Sequence, residues 1–471
     1  MNTRIILPQK RKGYILLSSL LLFSFYTAFY PRVVTAVGIP DILNFLHLIL
    51  VPFACVLTLT KTRLKDRRQI LVAKELIFAL FLFFTVVVAS GYINKAGIIN
   101  IFFDFILFCE HFLLLLTIIS IGLSPEKLRN FRAHIIIAGI INSFFAYFQF
   151  YVLRLQTLGA AGADNIKGVF IGQGAGHVVG ASVALTFGLF YLLVAKTVPF
   201  WIRLVVFLVT FWHMNMADAK QVILVLGLAW IVLLLSKVQN IGKFLQYFIP
   251  AVVVGVAFYW ATQNLPEFRA FNIWIRPEIY GPNGEATLLK TSVFRIVPTY
   301  YQSFLNPLFG LGPGHTIGRL GGWMLREYNE LLVPLGASIH PASNAIWDAV
   351  RVSWLGDQSS MFSPMFGWAA IWGDLGFVGL VSFTYIWSIV WRKLCVDDIS
   401  KYLVVCIFLF GLVFSQMEEP GYMLYVAAII GIQYQEHQSQ KLNHTRTQLE
   451  QAKPLRPKSL KSWMQRLLLI K

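Results

Sequence analysis

The sequence predicts an all-α polytopic membrane protein of about twelve transmembrane helices with one large external (periplasmic) loop, and three observations predict it. First, 57% of the 471 residues are hydrophobic, 13% are charged and the mean hydropathy is +0.65, whereas a soluble domain carries roughly 25% charged residues. Second, the apolar residues fall into twelve runs, near 14–32, 40–60, 70–92, 98–123, 133–155, 174–195, 198–214, 220–236, 245–262, 363–391, 402–416 and 421–434. A helix needs ~20 such residues to cross the hydrocarbon core. Third, Lys and Arg cluster at alternate ends of these runs, as the positive-inside rule requires.

The elements follow in order. The opening MNTRIILPQKRKG leads into an apolar run that continues past Leu22 without a small-residue cleavage site, which reads as a retained first span rather than a removed signal peptide. With that end inside, the internal segments are the start (Arg4, Lys10, Arg11, Lys12), 61–68, 126–132, 196–203, 237–243, 392–401 and the tail, each rich in Lys and Arg. The external segments are poor in charge or balanced; the longest, 263–362, holds seven basic and seven acidic residues. Both termini are therefore expected in the cytoplasm. The chain divides into an N-terminal membrane domain of about nine helices (1–262), the large external loop (263–362), about three C-terminal membrane helices (363–434) and a basic cytoplasmic tail (435–471). The tail closes in SLKSWMQRLLLIK, whose Trp463, Leu467, Leu468 and Ile470 among basic residues suit a helix lying on an anionic inner surface.

Several classes are disfavoured. The net charge of +18 is spread over short internal segments, with no basic groove or nucleic-acid motif, so no nucleic-acid partner is expected; the partner is the lipid bilayer. Cys55, Cys109, Cys395 and Cys406 lie in or beside apolar runs without disulfide or metal spacing. The external segments contain no DxD or His/Cys cluster, so neither a metal nor a cofactor is expected. No internal repeat or matched pair of broken helices marks an inverted-repeat transporter.

Polar residues inside the apolar runs need explanation, since an ionised group at mid-membrane costs at least ~2.5 kcal/mol. Asp104, Glu110 and His111 are expected to face the bundle interior or the water boundary; Asp104 or Glu110 would serve a proton relay or a sugar contact, with a plain interhelical hydrogen bond or a boundary position as the alternative. The external stretch 157–180 has seven glycines with Lys167 and His177, suiting an irregular segment buried in protein or lining an aqueous cavity. Asp218 and Lys220 mark a tight external turn, where a lysine breaks the inside-positive pattern; a self-neutralising turn is the alternative. In the large loop, residues 291–323 run from an amphipathic stretch with Arg295 into the glycine-proline turn 310–314, of the kind that lets backbone approach a ligand closely. The external face thus offers Lys167, Lys220, Arg295, Arg319 and Arg326 on three segments. Convergent cations of this kind hold a diphosphate, and a lipid diphosphate is its natural form beside a membrane.

At this point the chain resembles the O-antigen polymerase and ligase superfamily, bacterial membrane glycosyltransferases. The turn Ala217-Asp218-Ala219-Lys220-Gln221 stands where that family has a small residue, Ser and Arg. Arg295 precedes NPLFGLGPG in the manner of its arginine, amphipathic run and P-L-x-G-x-G-P-G pattern. WAAIWGDLGFVGL matches its span with an acidic residue and G-x-x-G through Asp374, Gly376 and Gly379, and KGVFIGQGAG resembles its external G-x-F stretch. The resemblance covers about 167–380. It implies a GT-C-like helical enzyme of the bacterial plasma (inner) membrane that joins polyprenyl-diphosphate-linked glycan donor and acceptor into an exopolysaccharide, capsule or O-antigen, with polysaccharide assembly proteins as neighbours. It further implies Arg295 and Lys220 on the diphosphate as catalytic residues, Arg319 or Arg326 as a second clamp, and Gly312 and Gly314 as the turn that closes the loop, with Lys167 and Asp374 in support. Two departures stand out: Met365 occupies the position of the ligases' histidine, leaving His315 and His340 as substitutes, and Lys220 replaces an arginine. A ligase, a lipid-linked oligosaccharide transporter and a non-catalytic scaffold of a polysaccharide complex are the alternatives.

Overall fold

The computed structural model describes residues 16–62, 66–159, 162–172, 175–239, 241–265, 268, 272, 276–356 and 361–451. Among the described residues every regular element is helical. The basic 1–12 stretch and the proposed interfacial helix at 459–471 lie outside the described residues. The long helices are α1 (Leu17–Tyr26), α2 (Leu46–Lys61), α3 (Arg67–Ile93), α4 (Ile98–Ser120), α5 (Pro125–Tyr147), α6 (Gly176–Val194), α7 (Phe200–Met216), α8 (Lys220–Leu235), α9 (Ile241–Asn264), α10 (Pro341–Val352), α11 (Gly367–Ile389), α12 (Asp398–Val413) and α13 (Pro420–Gln451). Each apolar run coincides with one of them, and α10 is an additional helix within the large loop.

By length and composition, seven stretches among the described residues suffice to cross a membrane: Asp41–Lys61, Arg67–Ile93, Ile98–Ser120, Pro125–Val152, Gly176–Val194, Phe244–Asn264 and Gly367–Leu394. Helices α1, α7 and α8 are apolar but shorter; the 16 residues of α8 rise only about 24 Å at ~1.5 Å per residue, against a core of ~30 Å. Helix α13 runs unbroken from Pro420 to Gln451, so the expected boundary between last span and tail falls inside a helix. Polar caps set several starts at ends predicted to be internal. Asp66 accepts the Arg68 amide at the start of α3, Ser124 the Lys127 amide at α5, and Asp397 the Ser400 amide at α12, filling donors that a helix start leaves unpaired.

The core forms around α4, α6 and α13, where Phe108, Phe112, Val183, Tyr422, Tyr425 and Ile429 are fully enclosed. Helix α9 stands at the other extreme, exposing Phe248, Ile249, Val253, Val254 and Val256. Ion pairs join like ends to like. Arg132 pairs with Glu436, Lys237 with Asp398 and Lys393 with Glu75, on predicted internal segments or, for Glu75, near the predicted inner end of a span. Arg32, at the predicted outer end of the first span, and Arg319, in the large external loop, both meet Glu419 on a predicted external segment.

The large loop is fastened to the bundle by two devices. Lys290, ending a short helix Glu285–Lys290, donates to the Ser363 and Val413 carbonyls (2.7 and 2.6 Å) and lies 5.3 Å from the Phe366 ring. Burial pulls its amine down to about 7. The second device is a break in α11 at Gly376 (φ 66°, ψ −163°). The Leu311 and Gly312 amides donate to the Gly373 and Asp374 carbonyls (2.8 and 3.0 Å) there, and Ser90 Oγ donates to the Asp374 carbonyl (2.8 Å). Gly310 and Gly376 both have positive φ, and a Cβ on either would collide with backbone of the other segment. Glycine is required at both for conformation and for space.

Candidate functional site

The site is built upward from the glycine turn. Asp374, fully buried in α11 just before the break, receives the Gly314 amide on Oδ2 (3.0 Å), and the Thr316 amide and hydroxyl on Oδ1 (2.7 and 2.6 Å). It therefore positions the turn, and its hydrogen-bond partners among the described residues are loop donors. Gly312 and Gly314 take φ of 111° and 67° within that turn, the conformation glycine allows. His315 is a strut of the same loop: Nδ1 donates to the Leu311 carbonyl (2.8 Å) and Nε2 meets Ser338 Oγ (2.8 Å). Burial holds its ring neutral, pulling it down to about 4. Ser338 Oγ also takes the Gly97 amide (2.9 Å), tying the α3–α4 corner to the loop. His340 stacks on His315 with ring centroids 5.0 Å apart and caps α10 by accepting the Ala342 amide on Nδ1 (3.1 Å).

The anchored turn delivers Arg319. Its backbone amide donates to Glu418 Oε2 (2.6 Å), while its guanidinium donates to Glu419 Oε2 and lies 5.6 Å from the Trp323 ring. The other oxygen of Glu419 is taken by Arg32 Nη2 at 2.7 Å. One carboxylate between α12 and α13 thus holds two arginines that lie 287 residues apart, one after α1 and one in the large loop. Burial alone would raise the Glu419 carboxyl, but Arg319 and Arg32 hold it below the ordinary range. At Glu418 beside it burial wins: it pushes the carboxyl up to about 8, against the pull of the Arg319 amide and guanidinium. The Glu418 Oε1 and the Arg319 Nε are buried without a hydrogen-bond partner among the described residues.

Arg32 and Arg319 form the wall of a cavity of about 270 Å³ between the α1–α2 connection and the large loop. Gly172 also lines it, and its carbonyl accepts Lys167 Nζ (2.8 Å). Lys167 is close enough to Arg32 for the two charges to repel, and burial together with that repulsion lowers its amine. Lys220 stands one remove further along the same face. It pairs with Asp218 at 2.6 Å, and Asp218 acts electrostatically on Asp164, which in turn faces Lys167 and His177. So the fold brings Lys167 and Arg319 to one site with Lys220 nearby. Arg295 is elsewhere: its side chain is exposed and donates to the Leu288 carbonyl (2.5 Å). Arg326 turns to α10, donating to Asn344 Oδ1 (2.7 Å) and lying 5.1 Å from the Trp347 ring.

Arg32, Glu418 and Glu419 were not singled out by the sequence. The signal for Arg32 was present in the charge rule, because an arginine at the outer end of the first span breaks the inside-positive pattern as Lys220 does. QMEEPG between two apolar runs carried no comparable mark. Among the described residues, no three His, Cys, Asp or Glu side chains gather as metal ligands would.

No family model matches this chain, and no curated protein matches it.

Proposed function

We propose that the protein is a membrane glycosyltransferase that polymerises polyprenyl-diphosphate-linked oligosaccharide units on the outer face of the bacterial plasma membrane, with twelve spans and residues 263–362 in the periplasm. The observation that carries the reading is the Arg32–Glu419–Arg319 arrangement at the wall of a polar cavity. Every segment that contributes to it is external by the charge pattern, which supports a one-sided site. Each guanidinium has five N–H donors; Glu419 takes one from each, and the Glu418 carbonyl takes a further one from Arg319 at 3.3 Å. The remaining donors suit phosphate oxygens, and two pre-aimed guanidinium groups are what departure of a diphosphate from an anomeric carbon needs, since the charge of the leaving group is the chief thing to stabilise. An acceptor hydroxyl would form the new glycosidic bond as the anomeric carbon–oxygen bond to diphosphate breaks, its proton passing to solvent or the leaving group. In this reading Arg319 and Arg32 are the diphosphate clamp, Lys167 and Lys220 extend the positive face, and Arg295 stands outside it.

The break in α11 at Gly376 is a feature that transporters share, where unwound helices bind substrate. Here its backbone groups are consumed by the glycine turn, which favours the enzyme. The test is to replace Arg319 and, separately, Arg32 by Ala in the native host and to follow surface polysaccharide together with undecaprenyl-linked single units. Loss of polymer with accumulation of single units at normal protein level is expected. Polymer at the wild-type level in both variants would refute the clamp.

A further inference from the structure

The cavity beside the two arginines has a lining that a diphosphate alone does not explain. Resting on the functional reading above, we infer that it is a subsite for one sugar ring, the one attached directly to the diphosphate. Its wall joins three aromatic rings to neutral and acidic polar groups: Phe45, Trp323 and Tyr328 with Asn44, Asp41 and Glu327. Tyr328 is held edge-on between the other two rings, with centroids 4.8 Å from Phe45 and 5.8 Å from Trp323, so the aromatic surface has a fixed orientation.

The chemistry of the lining decides between ligand classes. A polyprenyl tail would gain nothing from Asp41, Asn44 and Glu327, whose desolvation costs free energy unless they are paired. A longer polyphosphate would be repelled by the same two carboxylates. A sugar ring satisfies both halves of the wall, since its C–H faces lie well on aromatic rings and its hydroxyls donate to carboxylate and amide oxygens. A hetero-atom already waits for a donor. Asn44 engages the Tyr328 side chain, yet its Oδ1 is buried with no hydrogen-bond partner among the described residues, a condition that native structures seldom tolerate without a ligand or water. His47, also in the lining, is fixed by Glu110 Oε2 at 2.6 Å. At about 270 Å³ the space falls just under the ~300–1,000 Å³ of sites for drug-sized ligands, and so admits one ring rather than an oligosaccharide. Arg319, in contact with both the Trp323 ring and Glu419, joins the sugar wall to the diphosphate clamp.

The test uses the full-length protein in nanodiscs and native mass spectrometry with four probes: undecaprenyl diphosphate, and undecaprenyl diphosphate carrying a single glucose, galactose or N-acetylglucosamine. The readout is the ratio of affinities between a sugar-bearing probe and the bare one, so that a general loss of binding cancels. One or two net hydrogen bonds plus a stacked ring correspond to a preference of about tenfold for at least one sugar. Asn44→Ala and Tyr328→Ala are expected to bring that ratio to within about twofold of unity, and Tyr328→Phe, which keeps the ring, to retain most of it. A ratio near one for all three sugars in the wild type overturns the subsite, as does a preference untouched by Asn44→Ala and Tyr328→Ala. Failure of the bare diphosphate to bind while a sugar-bearing probe binds would refute the diphosphate clamp and leave the sugar subsite standing; binding of none refutes both.

Discussion

Replacing Asp374 by Asn tests whether this carboxylate holds the glycine turn. The change is nearly isosteric, and an amide oxygen at Oδ1 can still accept the Thr316 amide and hydroxyl. At Oδ2, however, an NH₂ group would face the Gly314 N–H, donor against donor, where the wild type has a 3.0 Å hydrogen bond. With Asp374 fully enclosed, water cannot rescue the orphaned amide, and a buried unsatisfied donor costs about 1–3 kcal/mol. In domains of 150–250 residues 1 kcal/mol moves Tm by roughly 2–4 °C and longer chains move less, so a loss near 2 kcal/mol predicts a fall of about 3 °C. The assay is built into the chain: all four cysteines are free and buried, so a thiol-reactive fluorophore reports unfolding. Asp348→Asn is the control, because Asp348 pairs with Arg351 at an exposed i,i+3 site, where such pairs contribute little. A Tm for Asp374→Asn equal to that of Asp348→Asn and wild type would refute the role given to Asp374.

Two further outcomes follow from the groups around the loop. Lys290 has its amine pulled down to about 7 by burial, below the ~10.4 of an unfolded lysine, so the unfolded chain binds the extra proton between those values and wild-type stability rises with pH across that window. Relative to Lys290→Met, the wild type should therefore gain in tryptophan-monitored Tm from pH 7 to pH 10; a flat difference would contradict it. Glu418, pushed up to about 8, behaves in the opposite sense. The folded state holds its proton above the unfolded value of ~4.3, so wild-type stability falls as pH climbs from about 4.3 to about 8, and Glu418→Gln should gain steadily on wild type from pH 5 to pH 8 and hold that lead at pH 9.

The membrane helices were legible because lipid demands a long apolar run for each crossing, and that demand is written locally. Lys and Arg mark alternate ends of the apolar runs, and the Arg132–Glu436 and Arg32–Glu419 pairs join segments that the charge rule expects on one side. Half of the site was visible as well: Lys167, Arg319 and the glycine turn lie in marked stretches. The rest was hidden by distance along the chain. Arg32 meets Glu419 across 387 residues, and nothing near either residue records the other. Arg295 shows the converse limit, since the amphipathic run around it sets which residues share a face without fixing which face is buried. Val293 and Val297 turn inward and Arg295 outward. The kink at Gly376 escaped because the glycine spacing of α11 is equally compatible with close helix packing; only the opposing backbone of Gly310 reveals why a positive φ is needed there.

The most direct test of the central claim is reconstitution of the purified protein in proteoliposomes with lipid-linked repeat units from its host, resolving products on a gel. Glycosyl transfer at the Arg32–Arg319 site predicts a ladder of multiples, one undecaprenyl diphosphate released per linkage, and no ladder with Arg319→Ala. Lipid-linked units left unchanged by the wild type, or a full ladder from Arg319→Ala, would contradict it.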